Sequence, residues 1–152
     1  MFRGTSKLTV DAKGRMAMPK LHRDRLETEC VTGLMVTRDP SGCLLIFPMP
    51  VWLEIESKLM SMPNTDPHVR AMQRLYVGHA TEVSFDSNGR ILLPALLREK
   101  AGIGKKAVLI GQGHKCELWS EESYESASED WPDVINSADM ENAPKAIRQL
   151  VI

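Results

Sequence analysis

The sequence repeats itself. Asp11-Ala-Lys-Gly-Arg15 and Asp86-Ser-Asn-Gly-Arg90 carry Asp, Gly and Arg at matching places, at an offset of 75 residues. The same offset aligns Pro19 with Pro94 and Arg23 with Arg98, with apolar runs between them. This limits what the chain can become. At 152 residues it forms one compact domain or two very small ones. A unit of about 75 residues buries only a marginal core alone, so the copies are expected to pack on each other or to oligomerise. The fixed point of each copy is a tight turn ending in arginine. A guanidinium held on a rigid turn, present twice, suits recognition better than catalysis.

The chemistry of the turn supports that view. Asn88-Gly89 is a strong hairpin signal because both central residues tolerate positive φ, and Lys13-Gly14 is a weaker form of it. Asp11 and Asp86 open the turns, where a carboxylate accepts from turn amides and tightens the loop. The same carboxylate can accept from the guanidinium four residues on and so fix where the fork points. An oriented arginine binds phosphate, or the O6/N7 edge of guanine, bidentately. The plain alternative is a hairpin whose Asp and Arg are merely solvated, since duplication preserves structural residues too.

Around each turn the elements recur in order. Lys7–Val10 reads as a strand, Arg15–Met18 follows the turn, and Pro19 opens a short helix to about Glu27. Leu34–Thr37 and Cys43–Phe47 read as a strand pair joined by Asp39-Pro-Ser-Gly42. In the second copy Glu82–Phe85, Ile91–Leu93, a helix from Pro94 stopping near Gly102 and Gly104, Ala107–Ile110 and Cys116–Trp119 take the same places, with Gly111–His114 as the hairpin loop. Phe47 matches Trp119 and Trp52 matches Tyr124 at an offset of 72, so a three-residue slip falls in the loops, where length changes are tolerated. Between the copies lie two helices, Val51 to about Met62 and a second, capped by Asp66-Pro67, to about Val77. Pro144–Ile152 is expected to end the chain as a short docking helix.

Charge is unevenly spread. The net charge is −1, but from Glu117 to Glu141 nine acidic residues face only Lys145 and Arg148. That tail carries −7, which leaves +6 on residues 1–116. A basic body suits a phosphate-rich partner, and an acidic tail can moderate the attraction; an ordinary solvated surface is the bland alternative. Cys30, Cys43 and Cys116 are odd in number, widely spaced and without zinc spacing, so reduced thiols in a cytoplasm are expected. No apolar stretch is long enough to span a bilayer and no signal-peptide pattern is seen, which points to a soluble intracellular protein without a membrane partner.

Together the two turn motifs, Met1-Phe-Arg-Gly4, Cys43-Leu-Leu-Ile-Phe-Pro48 and Arg74-Leu-Tyr-Val-Gly-His79 resemble the MraZ family, within the AbrB/MazE-like swapped-hairpin group. The resemblance covers nearly the whole chain and weakens past about residue 125. It implies an α+β, β-rich fold in which two pseudo-twofold swapped-hairpin units form a small β-barrel-like body with short helices. The expected divisions are a first AbrB-like repeat over 1–50, a helical connector over 51–77, a second repeat over 78–125 and an acidic tail over 126–152. It also implies a ring-shaped homo-oligomer, nucleoid-associated, that binds tandem G-rich repeats in double-stranded promoter DNA of the division and cell-wall gene cluster. Regulation in the family is typically repression, including autorepression. The family's functional arginines fall on Arg15 and Arg90, with Asp11 and Asp86 as orienting acids and Gly14 and Gly89 as the turn glycines. Lys13 fits a DNA-facing position, where the second copy has the uncharged Asn88. Arg3 and Lys7 are expected beside the first turn as phosphate contacts. For Arg23 and Arg98 two readings stay open, phosphate contact or brace of the acidic turn.

The same residues admit other readings. Asp11 and Asp86, one per half, superficially resemble a shared-proton carboxylate dyad. A neighbouring arginine lowers both pKa values, which opposes that chemistry, and the residues after each Asp lack the hydroxyl-Gly signature. No enzyme activity, cofactor, metal or small-molecule substrate is therefore expected. His22, His68, His79 and His114 are scattered without ligand spacing, and His79 reads as a packed residue. A pure interaction module, antitoxin-like, would use the same arginines on an acidic protein. Trp52 and Trp119 then fit the core or subunit contacts better than a partner surface.

Overall fold

Each repeat lends its first strand to the other. The computed structural model describes residues 1–29, 31 and 33–150; Cys30 and the end of the expected C-terminal helix, 151–152, lie outside the described residues. The chain divides into two compact units, Met1–Glu121 and Glu122–Ile152. In the first unit the strands are β1 (Phe2–Thr9), β2 (Arg15–Ala17), β3 (Gly33–Arg38), β4 (Leu44–Pro48), β5 (Thr81–Ser84), β6 (Arg90–Leu92), β7 (Lys106–Gly113) and β8 (Lys115–Ser120). The helices between them are α1 (Lys20–Thr28), α2 (Met49–Met60), α3 (Pro67–Met72) and α4 (Ala95–Lys100).

Six strands form one antiparallel sheet in the order β1-β7-β8-β4-β3-β5, and β2 pairs with β6 as a separate ribbon. Exchanging the matching strands of the two repeats turns this order into its own reverse, which is the signature of a pseudo-twofold axis between β4 and β8. β1 pairs with β7 of the second repeat, and β5 pairs with β3 of the first. The expected α+β fold of swapped hairpins is what forms.

The pattern of burial explains the sheet's centre. All five residues of β4 are buried, as befits a strand covered on both faces. Leu44 and Ile46 join the main core with Leu34, Val36, Leu109 and Leu118. On the opposite face Phe47 meets Trp52 of α2, with ring centroids 5.6 Å apart. The ribbon closes over the core from the far side through Met16 and Ile91, which face each other in register and are fully buried.

Several expected boundaries shift for identifiable reasons. β1 begins at Phe2 rather than Lys7 because β7 is long enough to pair with all eight of its residues. The first hairpin spends residues 39–43 on its loop, whereas β7 runs through Gly113 and turns at His114. The three-residue slip does not lie in these loops alone, because α1 has nine residues against six in α4, and the pairing of Gly33 with Ser84 and of Lys106 with Thr9 already relates β3 to β7 at an offset of 73. The second connector helix is α3, capped by Asp66 through His68 N (2.7 Å) and Val69 N (3.3 Å), and it widens into a π turn over Gln73–Val77. α4 stops with Gly102 N donating to Glu99 O and Ile103 N to Arg98 O, a Schellman-type end at the expected glycine. His79 is half-buried and its Nδ1 lies 2.9 Å from Leu75 O, a packed residue as read.

The second unit covers residues expected as the end of the second repeat and as an acidic tail closed by a short helix. It contains most of α5 (Glu121–Ile135), then a 3-10 turn over Ala138–Asn142 and α6 (Lys145–Arg148). In α5 the Tyr124 and Trp131 rings meet edge to face at 6.0 Å. Among the described residues, no helix is long and apolar enough to cross a membrane, and no group of His, Cys, Asp and Glu could hold a metal ion. Cys43 and Cys116 are buried free thiols, and burial pushes both up to about 12.

Candidate nucleic-acid interface

Each turn is a closed loop of hydrogen bonds around one carboxylate. In the first, Asp11 N donates to Arg15 O (3.0 Å) and Gly14 N to Asp11 O (2.9 Å). Asp11 Oδ1 accepts from Lys13 N (3.0 Å) and Arg15 N (2.9 Å), and its Oδ2 takes Arg15 Nε at 2.7 Å. The second turn repeats every bond: Asp86 N to Arg90 O at 2.8 Å, Gly89 N to Asp86 O at 3.1 Å, Asn88 N and Arg90 N to Asp86 Oδ1 at 2.8 and 3.0 Å, and Arg90 Nε to Oδ2 at 3.0 Å. Gly14 and Gly89 sit at φ of +91° and +72°, the left-handed region their position in this turn requires.

The hydrogen bonds leave a charge signature. The Arg15 backbone N–H, ahead of its guanidinium, holds the Asp11 carboxyl below the ordinary value against a smaller opposing effect of desolvation. Asp86 is held down in the same way, first by Arg90 N–H and then by Asn88 N–H and the Arg90 side chain. Both acids therefore stay ionised at neutral pH, which suits an orienting acid and not a proton-sharing dyad.

The carboxylate grips only the inner nitrogen of each fork. Among the described residues, nothing takes the outer Nη nitrogens of Arg15 or Arg90. Their side chains are alike in exposure, at 32% and 30%.

The ribbon then brings the two forks together. Arg15 lies opposite Leu92 and Ala17 opposite Arg90, so the arginines are diagonal neighbours on one face. Diagonal positions in an antiparallel pair put their Cα atoms roughly 7–8 Å apart. Met16 and Ile91, the alternate residues, point into the core and pin that face outward.

The other expected residues distribute unevenly. Lys13 and Asn88 are exposed at matching turn positions. Lys7 and Arg3 are exposed on β1, four and eight residues before Asp11. At about 3.3 Å per strand residue they stand roughly 13 and 26 Å up the strand, so Arg3 is not beside the turn as expected. Lys7 also lies 3.9 Å from Glu121. Arg23 and Arg98 make no ion pair with Asp11 or Asp86; Arg98 lies against Gly14 and Arg23 against Gly89.

The structure adds Lys105 to the residues around the first turn. Lys105, in the loop after α4, accepts from Val10 N through its carbonyl (2.8 Å) and lines a groove with Asp11, Ala12, Arg98 and Gly104. The signal lies in Gly104-Lys105-Lys106 just past the helix stop; in the first copy Gly33, opposite Ser84, takes the place that Lys106 has opposite Thr9.

Comparison with known proteins adds to the geometry. A sequence profile of the family described as "MraZ protein, putative antitoxin-like" matches twice, over residues 1–75 and 76–144. The chain is 53% identical over 131 residues to the transcriptional regulator MraZ of Thioalkalivibrio sulfidiphilus, covering 86% of this chain and 87% of that one. It is 47% identical over 142 residues to the protein of that name from Halorhodospira halophila, covering 93% of both chains. The same-named Coxiella burnetii protein is 50% identical over 132 residues, 86% of this chain and 87% of its own.

Proposed function

The chain belongs to the MraZ family of transcriptional regulators, and from that premise we propose that it is a sequence-specific DNA-binding repressor that acts on its own promoter. The target is tandem G-rich repeats in double-stranded DNA ahead of the division and cell-wall gene cluster. Arg15 and Arg90 read base edges or phosphates, and Lys13, Asn88 and Lys7 add backbone contacts. Arg3 reaches the backbone only where the duplex runs along β1.

The observation that carries this reading is the pair of forks on one outward face, each held at Nε with its Nη side open. Arginine–carboxylate pairs are frequently bidentate, and a fork held at Nε alone keeps its outer nitrogens for another acceptor. One protomer makes few base contacts by this means. Repetition of the reader around a ring of subunits multiplies them through effective concentration when the DNA repeats match the spacing. The function is binding in the cytoplasm at the nucleoid, with no covalent step.

Fluorescence anisotropy with a duplex from upstream of the protein's own gene, against a scrambled duplex of equal composition, tests it. Wild type should prefer its own sequence, more strongly for two tandem copies than for one, and native mass spectrometry should show a closed oligomer. Loss of a bidentate contact worth roughly 1–3 kcal/mol predicts on the order of 10- to 100-fold weaker binding for Arg15→Ala. Equal affinity for the scrambled duplex, or full affinity in the variant, would refute the proposal. A wild type that ignores DNA but captures an acidic protein would mean the arginine turns serve a protein partner.

A further inference from the structure

Arg23 and Arg98 occupy equivalent places in the repeats, and each lies against the turn of the other repeat. A Cβ built on Gly14 would fall 2.5 Å from Arg98 Nε and 2.6 Å from its Cζ. A Cβ on Gly89 would meet the Arg23 guanidinium in the same way, 2.8 Å from its Cζ. The absence of a side chain at each turn glycine is what admits the guanidinium. Each arginine is also tied to the backbone that holds that glycine. Arg98 Nε donates to Leu93 O (3.3 Å), and Leu93 N donates to Gly14 O (2.9 Å). Arg23 Nε donates to Met18 O (3.0 Å), and Met18 N donates to Gly89 O (3.3 Å). The helix of one repeat thus fastens the turn of the other through the backbone of one residue, Leu93 in one direction and Met18 in the other.

From this reciprocity we infer that Arg23 and Arg98 are positioning residues for DNA recognition, each setting the reading arginine of the opposite repeat: Arg98 sets Arg15, and Arg23 sets Arg90. The inference rests on the proposed DNA-binding role for its biological meaning. The brace acts on the turn backbone and not on the carboxylate, since neither arginine pairs with Asp11 or Asp86. It also couples the turns, because each half of the chain supplies what the other half's reader needs. Both arginines are half-buried, and Arg98 stands between two grooves. It lines the groove with Asp11 and Lys105 on one side of the first turn and the groove with Lys13 on the other.

Amide hydrogen exchange on the full chain, without DNA, tests the brace independently of any duplex. Arg98→Ala should speed exchange at Lys13–Arg15 by about tenfold or more and leave Asn88–Arg90 unchanged. Arg23→Ala should do the reverse. Arg98→Lys keeps the charge but loses the planar fork, so it should give the Arg98→Ala pattern; it also serves if the alanine variant does not fold. Exchange that rises in the variant's own repeat, or in neither turn, overturns the inference. With promoter DNA, a positioning residue weakens binding but leaves the salt slope unchanged, whereas a lost phosphate contact lowers its magnitude by about 0.9. A lowered slope with unchanged turn exchange makes these arginines phosphate contacts and overturns the brace. Failure of wild type to bind DNA would fall on the functional proposal alone, because the exchange result stands without it.

Discussion

The two turns are the same object in different surroundings. Their hydrogen bonds match one for one, so the machinery that aims the arginine does not distinguish them. What differs is the neighbourhood. The first turn has Lys13 at its tip, a buried Gly14, and Lys105 in the adjoining groove; the second has Asn88 and a half-buried Gly89. Geometry is therefore duplicated while charge is not. A duplicated turn can keep the bonds that orient its arginine intact and still diverge through the residues around it.

The sharpest way to break this comparison is to remove each fork in turn. Arg15→Ala is expected to weaken promoter binding on the order of 100-fold and Arg90→Ala on the order of 10-fold, read by anisotropy titration. Equal losses would mean that surrounding charge contributes nothing to the difference. Next come the orienting acids. Asp11→Asn and Asp86→Asn keep the volume but lose the charge-assisted grip on Nε, so each should cost affinity less than loss of its arginine, with Asp11→Asn the larger effect. Affinity unchanged in both would show that the forks need no aiming.

A charge exchange at the turn tips gives a smaller effect with a cleaner sign. Lys13→Asn should lower the magnitude of the salt slope by about 0.9, and Asn88→Lys should raise it by as much. A slope indifferent to both would remove the turn tips from the phosphate contacts. The smallest effect is expected with pH. A carboxyl whose folded pKa is lowered contributes its stabilisation fully above the ordinary 3.8 and loses it only as pH falls through the lower folded value. The Asp11 and Asp86 carboxyl carbons should thus titrate below 3.8 in an NMR series, with binding flat across neutral pH. Titration of either at or above that value would show that its turn is not closed in solution.

Much of this was legible because it is local. The Asp-x-x-Gly-Arg turn, the proline helix starts, the Asp66 cap and the Gly102 stop each depend on a few neighbouring residues, and sequence spacing specifies them. Strand exchange is not local. Nothing in Lys7–Val10 says whether β1 pairs with its own hairpin or the other one; that expectation came from family resemblance, and the early start of β1 follows from the length of a partner far along the chain. Arg23 and Arg98 stayed ambiguous for the same reason, since the turn each one touches lies in the opposite repeat. The lysines at 105 and 106 show in the sequence as charge, but that Lys105 stands beside the first turn follows only once Val10 is laid against it. α5 does not stand out in the sequence, because it is acidic and carries Pro132 within it.

The exchanged strands also set a timetable. Phe2 pairs with Gly113, 111 residues later. During synthesis at roughly 5–20 residues per second, β1 waits on the order of 5–20 s for its partner to appear. Until then the first repeat has a bare hairpin edge at β3 and β4, the kind of exposed edge on which chains aggregate. The interlocked sheet is thus a late product of folding, and its early, half-built state is where this chain is most exposed to misassembly with its own copies.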